Sequence, residues 1–339
     1  MPAVEAELHR VALLTPSGAD LYGPINISNG YDSFGEVMIL HATHPSGSPS
    51  RVGVKDSQLG RGVLTLTCPE KPGIVQAVTS FLLNRELDIV EHQQFDDNIR
   101  ERFFLRTAYA APGLVDVADL TERFADTARQ FEMSFSFHGE AKPRLLVMVS
   151  KLGHCLNDLL FRWRAGTLGG DIAVVVSNHE TLRRMTEAAG LPFVHLPVHP
   201  DTKPAVEASL LQLIDRYDID LVVLARYMQI LSNDLCTQLE GRAINIHHSF
   251  LPGFKGAKPY HQAYDRGVKL VGATAHYVTP DLDEGPIIEQ EVIRVDHTHH
   301  PQTLATIGQD AECLALSRAV RWHCEHRVLF HGGSTVVFR

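Results

Sequence analysis

The chain has 339 residues, 44% of them hydrophobic and 21% charged, with a formal net charge of −9. These proportions belong to an ordinary globular protein of about two domains, and the negative balance gives no general attraction for nucleic-acid phosphates or anionic lipid. No apolar run reaches the roughly 18 residues that span a bilayer, so neither nucleic acid nor membrane is an expected partner.

Residues 1–60 carry the weakest pattern. Gly, Pro, Ser and Asn are frequent, as in Pro45 to Ser50, and only Glu36 to Leu40 suggests a short strand. This stretch reads as an extension of weak local order. Met1 to Leu14 lacks a basic segment followed by an apolar core, and Glu5, Glu7 and Asp20 argue against an organelle transit peptide. A cytoplasmic location is expected. Five scattered cysteines (Cys68, Cys155, Cys236, Cys313 and Cys324) include no CxxC pair and fit reduced thiols better than a disulfide framework.

From Gly62 the pattern sharpens. Val63 to Cys68 alternates like a half-buried strand, Pro69 to Gly73 is a turn, and Ile74 to Asn84 has helical periodicity. Strands follow at Asp88 to Phe95 and Arg102 to Ala110, then a helix at Val117 to Phe131 and a strand near Met133 to Phe137. The order β-α-β-β-α-β over residues 61–140 predicts a ferredoxin-like α+β domain. Ala141-Lys142-Pro143 reads as a linker.

Residues 141–339 change character. Strands at Arg144 to Ser150, Ile172 to Ser177, Phe193 to Val198 and Leu221 to Ala225 alternate with helices from Leu156, from Thr181, and over Pro204 to Asp215. Near-continuous apolar strands such as Ala173 to Val176 and Leu221 to Leu224 belong to a buried parallel sheet. That predicts a doubly wound, mostly parallel α/β domain with its site at the carboxyl ends of the strands.

Ile244 to Gln290 holds the densest chemistry. Asn245 and His247 are two residues apart and leave a strand on one face. Gly272 to Val278 forms another strand, carrying His276, before the Asp281-Leu282-Asp283-Glu284-Gly285-Pro286 loop. An amide, an imidazole and a carboxylate in one apolar region can transfer a one-carbon acyl unit. Alone, Asn245 could be a turn cap, Asp283 a loop carboxylate, and His276 or His248 plain packing.

These motifs resemble those of the formyltetrahydrofolate deformylases. The turn Cys68 to Val75 is similar to that of an ACT domain. Asn245-Ile246-His247 with Asp283 matches the catalytic triad of the formyltransferase superfamily. Leu224-Ala225-Arg226-Tyr227-Met228-Gln229-Ile230-Leu231-Ser232 matches its folate loop. The ribonucleotide formyltransferases open this domain with a Gly-bearing phosphate loop, whereas here bulky Leu152, His154 and Cys155 occupy the corresponding segment. The string Ser150-Lys151-Leu152-Gly153-His154-Cys155-Leu156, with His248 and Phe250, is similar to the deformylases.

The resemblance implies hydrolysis of 10-formyltetrahydrofolate to tetrahydrofolate and formate, with a role in balancing one-carbon pools and feeding purine synthesis. The folate is the substrate, and neither a cofactor nor a metal is expected. Asn245 would donate to the oxyanion, His247 would stabilise it or relay protons, and Asp283 would orient water and favour a charged imidazole. His276 and His248 would support them. Met228, Gln229, Ile230 and Leu231 would seat the pterin, and Lys255 and Lys258 could attract the folate tail. Pro72, Gly73 and Ile74 would line a regulatory amino-acid site at a homo-oligomer interface. The rivals are a formyltransferase with an amine acceptor and a catalytically silent folate or amino-acid sensor. Asp296 to His300 reads as a solvated helix entry rather than a metal site, and Cys155 as inert.

Overall fold

The computed structural model describes residues 60–251 and 259–339. The extension before Gly60, the strand at Glu36 to Leu40, and Pro252, Lys255 and Lys258 lie outside the described residues.

The first sheet forms from β1 (Gly60–Pro69), β2 (Asp88–Asp97), β3 (Arg102–Ala111) and β4 (Ser134–His138), in the antiparallel order β2-β3-β1-β4. Helices α1 (Ile74–Leu83) and α2 (Val117–Phe131) connect them. This is the ferredoxin-like arrangement. Alternation in β1 sends Leu64, Leu66 and Cys68 inward. In α2 the Asp116 carboxylate accepts from the Ala118 and Asp119 N–H groups, and Leu120, Phe124, Ala128 and Phe131 form the buried stripe. Gly73, at φ 93°, supplies the left-handed turn that launches α1.

The second sheet has seven strands. In chain order these are β5 (Arg144–Val149), β6 (Asp171–Ser177), β7 (Phe193–His195), β8 (Leu221–Leu224), β9 (Ala243–His247), β10 (Leu270–Tyr277) and β11 (Ile287–Arg294). The sheet order is β11-β10-β9-β8-β5-β6-β7, parallel from β7 to β9 and antiparallel at β10 and β11. The helices are α3 (His154–Arg164), α4 (Arg183–Glu187), α5 (Lys203–Tyr217), α6 (Asn233–Gln238), α7 (Pro259–Asp265) and α8 (Pro301–Cys324). A hairpin of β12 (Val328–His331) and β13 (Ser334–Val337) follows.

The apolar strands are buried on both faces. One face packs Leu145, Val147, Val223 and Ile246 against Leu156, Ala315, Leu316 and Ala319; the other packs Leu146, Met148 and Val222 against Leu210 and Ile214. The order turns back between β5 and β8, which opens a crevice at their carboxyl ends.

Several sequence boundaries move, among them the start of β1 at Gly60 rather than Val63 and of α3 at His154 rather than Leu156. The strand expected to reach Val198 ends at His195, the last residue paired with β6, although the Leu196 N–H still donates to the Ser177 carbonyl. The helix expected from Thr181 begins as a 3₁₀ turn at Glu180–Leu182.

Candidate active site

The strands β8, β9 and β10 deliver the side chains. Asn245 is the third of five residues in β9 and His247 the last. Both line a cavity of about 250 Å³, as period two requires. His276 of β10 lies opposite Asn245, and Thr274 opposite His247. Asp283 arrives on the loop after β10, in a left-handed conformation at φ 58°.

His247 Nδ1 is 3.2 Å from Asp283 Oδ2, and its Nε2 is 2.9 Å from Ser249 Oγ. His276 Nε2 lies 3.8 Å from Asp283 Oδ1, so one carboxylate faces two imidazoles. The hydrogen bond from His247 holds the Asp283 carboxyl below the usual range, against a smaller upward push from burial. Burial lowers His276, only partly offset by its bond to the Tyr277 carbonyl. Its Nδ1–H donates to Tyr277 O at 2.8 Å, which leaves Nε2 as an acceptor for the Asn245 Nδ2–H at 3.2 Å. The Asn245 amide is thereby fixed with a second N–H free to face the cavity.

The stretch after His247 is pinned from β10 and β11. Thr274 Oγ1–H donates to Ser249 O and accepts from Leu251 N–H, while the Gln290 amide donates to Leu251 O. His248 is pushed down to about 4, by burial first and then by the charge of Arg226, and is a neutral imidazole at pH 7.

The folate loop follows β8. Met228 and Ile230 are exposed yet line the cavity, with Gln229 and Leu231 between and behind them. Exposed apolar side chains at a cavity rim suit a flat heterocycle. Met228 N–H donates to Ser150 Oγ, whose own hydroxyl donates to Asn178 Oδ1, tying the loop to the ends of β5 and β6. The opening of α3 carries Cys155 and His154, with no Gly-rich turn beyond Gly153.

All five chemistry-bearing residues and all four folate-loop residues named from the sequence border one cavity. Pro72, Gly73 and Ile74 line a separate groove with Glu70, Gln94, Asp96 and Glu101. Sequence reasoning missed Ser249, Arg226 and Glu312. Arg226 stood within the folate-loop string without a role of its own, and Glu312 was visible only as a lone acid on the buried face of α8, beside Gly308, Ala311 and Ala315.

His154, Cys155 and Glu312 bring donor atoms within 4.8 Å of one another. The carboxylate is already engaged by His154 Nε2–H (2.7 Å), Tyr260 O–H (3.0 Å) and the Arg226 guanidinium (3.3 Å). Contact with the Cys313 thiol and burial both raise the Cys155 thiol, so it offers no thiolate. Asp296 to His300 forms the turn into α8: the Asp296 carboxylate accepts from Thr298 N–H, and His300 stands at the N-cap position without a side-chain capping bond.

A mostly parallel sheet with an amide, imidazoles and a carboxylate at the ends of its central strands defines a formyl transferase domain, and the Formyl transferase family matches residues 143–320. A formyltetrahydrofolate deformylase of Corynebacterium sp. (strain P-1) is 54% identical over 285 residues, covering 84% of this chain and all of the relative. A solved formyltetrahydrofolate deformylase from Burkholderia mallei ATCC 23344 superposes with a TM-score of 0.78 at 51% identity, over 83% of this chain and all of that one. A glycinamide ribonucleotide transformylase from Symbiobacterium toebii reaches 0.54 at 32% identity over 60% of this chain and 97% of that one. The chain belongs to the formyltetrahydrofolate deformylase family. No helix among the described residues is long and apolar enough to cross a membrane.

Proposed function

We propose that this chain hydrolyses 10-formyltetrahydrofolate to tetrahydrofolate and formate at the cavity formed by Asn245, His247 and Asp283. The observation that carries the reading is the His247–Asp283 pair at 3.2 Å, flanked by an amide whose orientation is fixed. The pterin seats against Met228, Gln229, Ile230 and Leu231, with the formyl group toward the three polar side chains. Water attacks the formyl carbon, and its proton passes to the Asp283–His247 pair. The Asn245 N–H and a protonated His247 hold the developing oxyanion. The carbon–nitrogen bond then breaks as the pair returns a proton to the folate nitrogen.

The test is incubation of pure protein with 10-formyltetrahydrofolate and no amine acceptor, following both products. Equal release of formate and tetrahydrofolate supports hydrolysis; folate binding without release points to an acceptor enzyme or a sensor. Asp283→Asn and His247→Ala are expected to keep the fold and lower turnover by about 10²- to 10⁴-fold. Near-normal turnover in both removes this assignment of roles.

The groove at Pro72, Gly73 and Ile74 is the proposed seat of an amino-acid effector, in a cytoplasmic homo-oligomer. Gly73→Ala would strain the positive-φ turn. It is expected to abolish any amino-acid effect on turnover while sparing the unregulated rate, as activity assays with single amino acids would show.

A further inference from the structure

Among the described residues lining the cavity, Arg226 carries the one permanent positive charge, and the steps above do not use it. It stands two residues past the end of β8 at φ 65°, a left-handed backbone that an arginine adopts at a cost. Its side chain is 9% exposed. The Nε and Nη1 atoms are sealed from solvent and have no hydrogen-bond partner among the described residues. The remaining nitrogen, Nη2, is the one left to reach the cavity.

Glu312 is the nearest counter-charge, with Oε2 3.3 Å from Nε. Its two oxygens already receive His154 and Tyr260, so Glu312 balances the charge of Arg226 without using its N–H groups. Buried guanidinium donors left unspent are costly and mark a place where a ligand completes the bonding. The neighbouring His248 is a neutral imidazole, so it brings no second cation to compete for an anion.

The reaction itself supplies the anion. Water oxygen bonds to the formyl carbon, the carbon–nitrogen bond breaks, and the nitrogen takes a proton. The formic acid formed is a carboxylic acid and loses its proton at neutral pH. Transfer to an amine would leave a neutral formamide in the same place, with no need of a cation.

We propose that Arg226 is an anion-binding residue of this cavity, whose guanidinium receives the carboxylate of the newly formed formate. This rests on the deformylase reading. It makes Arg226 the residue that fits the acyl end of the cavity to a hydrolytic product.

The test compares sodium formate with isosteric neutral formamide as inhibitors of the intact enzyme, in Arg226→Gln, Arg226→Lys and wild type. Wild type is expected to bind formate about tenfold or more tightly than formamide, since a charged hydrogen-bonded pair is lost with the neutral probe. Arg226→Gln is expected to weaken formate by about tenfold and leave formamide unchanged, with Arg226→Lys between. The double variant Arg226→Gln/Glu312→Gln removes the unpaired acid if the single variant folds poorly. The formate–formamide comparison in wild type needs no variant. Equal inhibition by the two probes, or no inhibition by formate, overturns the assignment of Arg226 while formate release continues. A wild type that releases no formate from 10-formyltetrahydrofolate overturns the deformylase reading instead.

Discussion

The Asn245 amide owes its aim to His276. A primary amide alone has two orientations of nearly equal energy, and only one presents N–H to an oxyanion. His276 selects it because the Tyr277 carbonyl has taken the Nδ1 proton, forcing Nε2 to accept. Burial, which keeps this imidazole neutral, preserves the arrangement. His276→Phe would keep the ring's bulk and remove the acceptor. It is expected to lower kcat by about 10- to 100-fold with KM for the folate nearly unchanged, because the lost interaction forms only in the transition state. Steady-state kinetics on the folded variant decide this: an unchanged kcat would make His276 packing alone.

At the scale of elements, the loop carrying Asp283 is held by close approach. A Cβ on Gly285 would sit 1.8 Å from the Tyr277 carbonyl oxygen and 3.3 Å from His276 Nδ1. No side chain fits, so Gly285→Ala would push the loop off β10 and draw Asp283 away from both imidazoles. A stability loss of about 1–3 kcal/mol is expected, with turnover falling more than about tenfold. Gly333→Ala, where a Cβ meets nothing within 4 Å, is the control. Equal denaturation midpoints and rates for both variants would show that the loop has slack.

Such close approaches explain which parts of the molecule were legible in the sequence. Most strands and helices of the two sheets could be read because their apolar periods are regular, though β11, α6 and α7 were not, and Asn245 and His247 could be read because period two puts them on one face. The link of His276 to Asn245 could not be read, since it depends on the register of β9 against the antiparallel β10. Glu312 lies 86 residues after Arg226, and only folding of α8 against the sheet brings the two together.

At the scale of the whole molecule, the two described sheets meet at a cluster of ion pairs and buried histidines. Arg106 of β3 bonds to Glu91 of β2 and to the Glu325 carbonyl after α8, and Arg327 reaches the same Glu91. Beside them His138 of β4 stacks on His326 with ring centroids 3.6 Å apart. His323 Nδ1 accepts from the Tyr277 hydroxyl, which ties this junction to the strand carrying His276. Burial pushes His323 down to about 4 and His326 to about 3, the latter also lowered by His138, His323 and Arg106. Both folded-state values lie below the unfolded value of about 6.5. Their stabilising effect is therefore complete above about pH 6.5 and is lost as pH falls below it, since the unfolded chain then binds protons that the folded chain refuses. At pH 5 each is expected to cost about 2 kcal/mol. Urea midpoints at pH 7.5 and pH 5.0 measure the loss, to which other buried histidines such as His248 add, and His326→Phe should remove about 2 kcal/mol of it. A midpoint independent of pH would mean that these histidines take up protons in the folded junction as readily as in the unfolded chain.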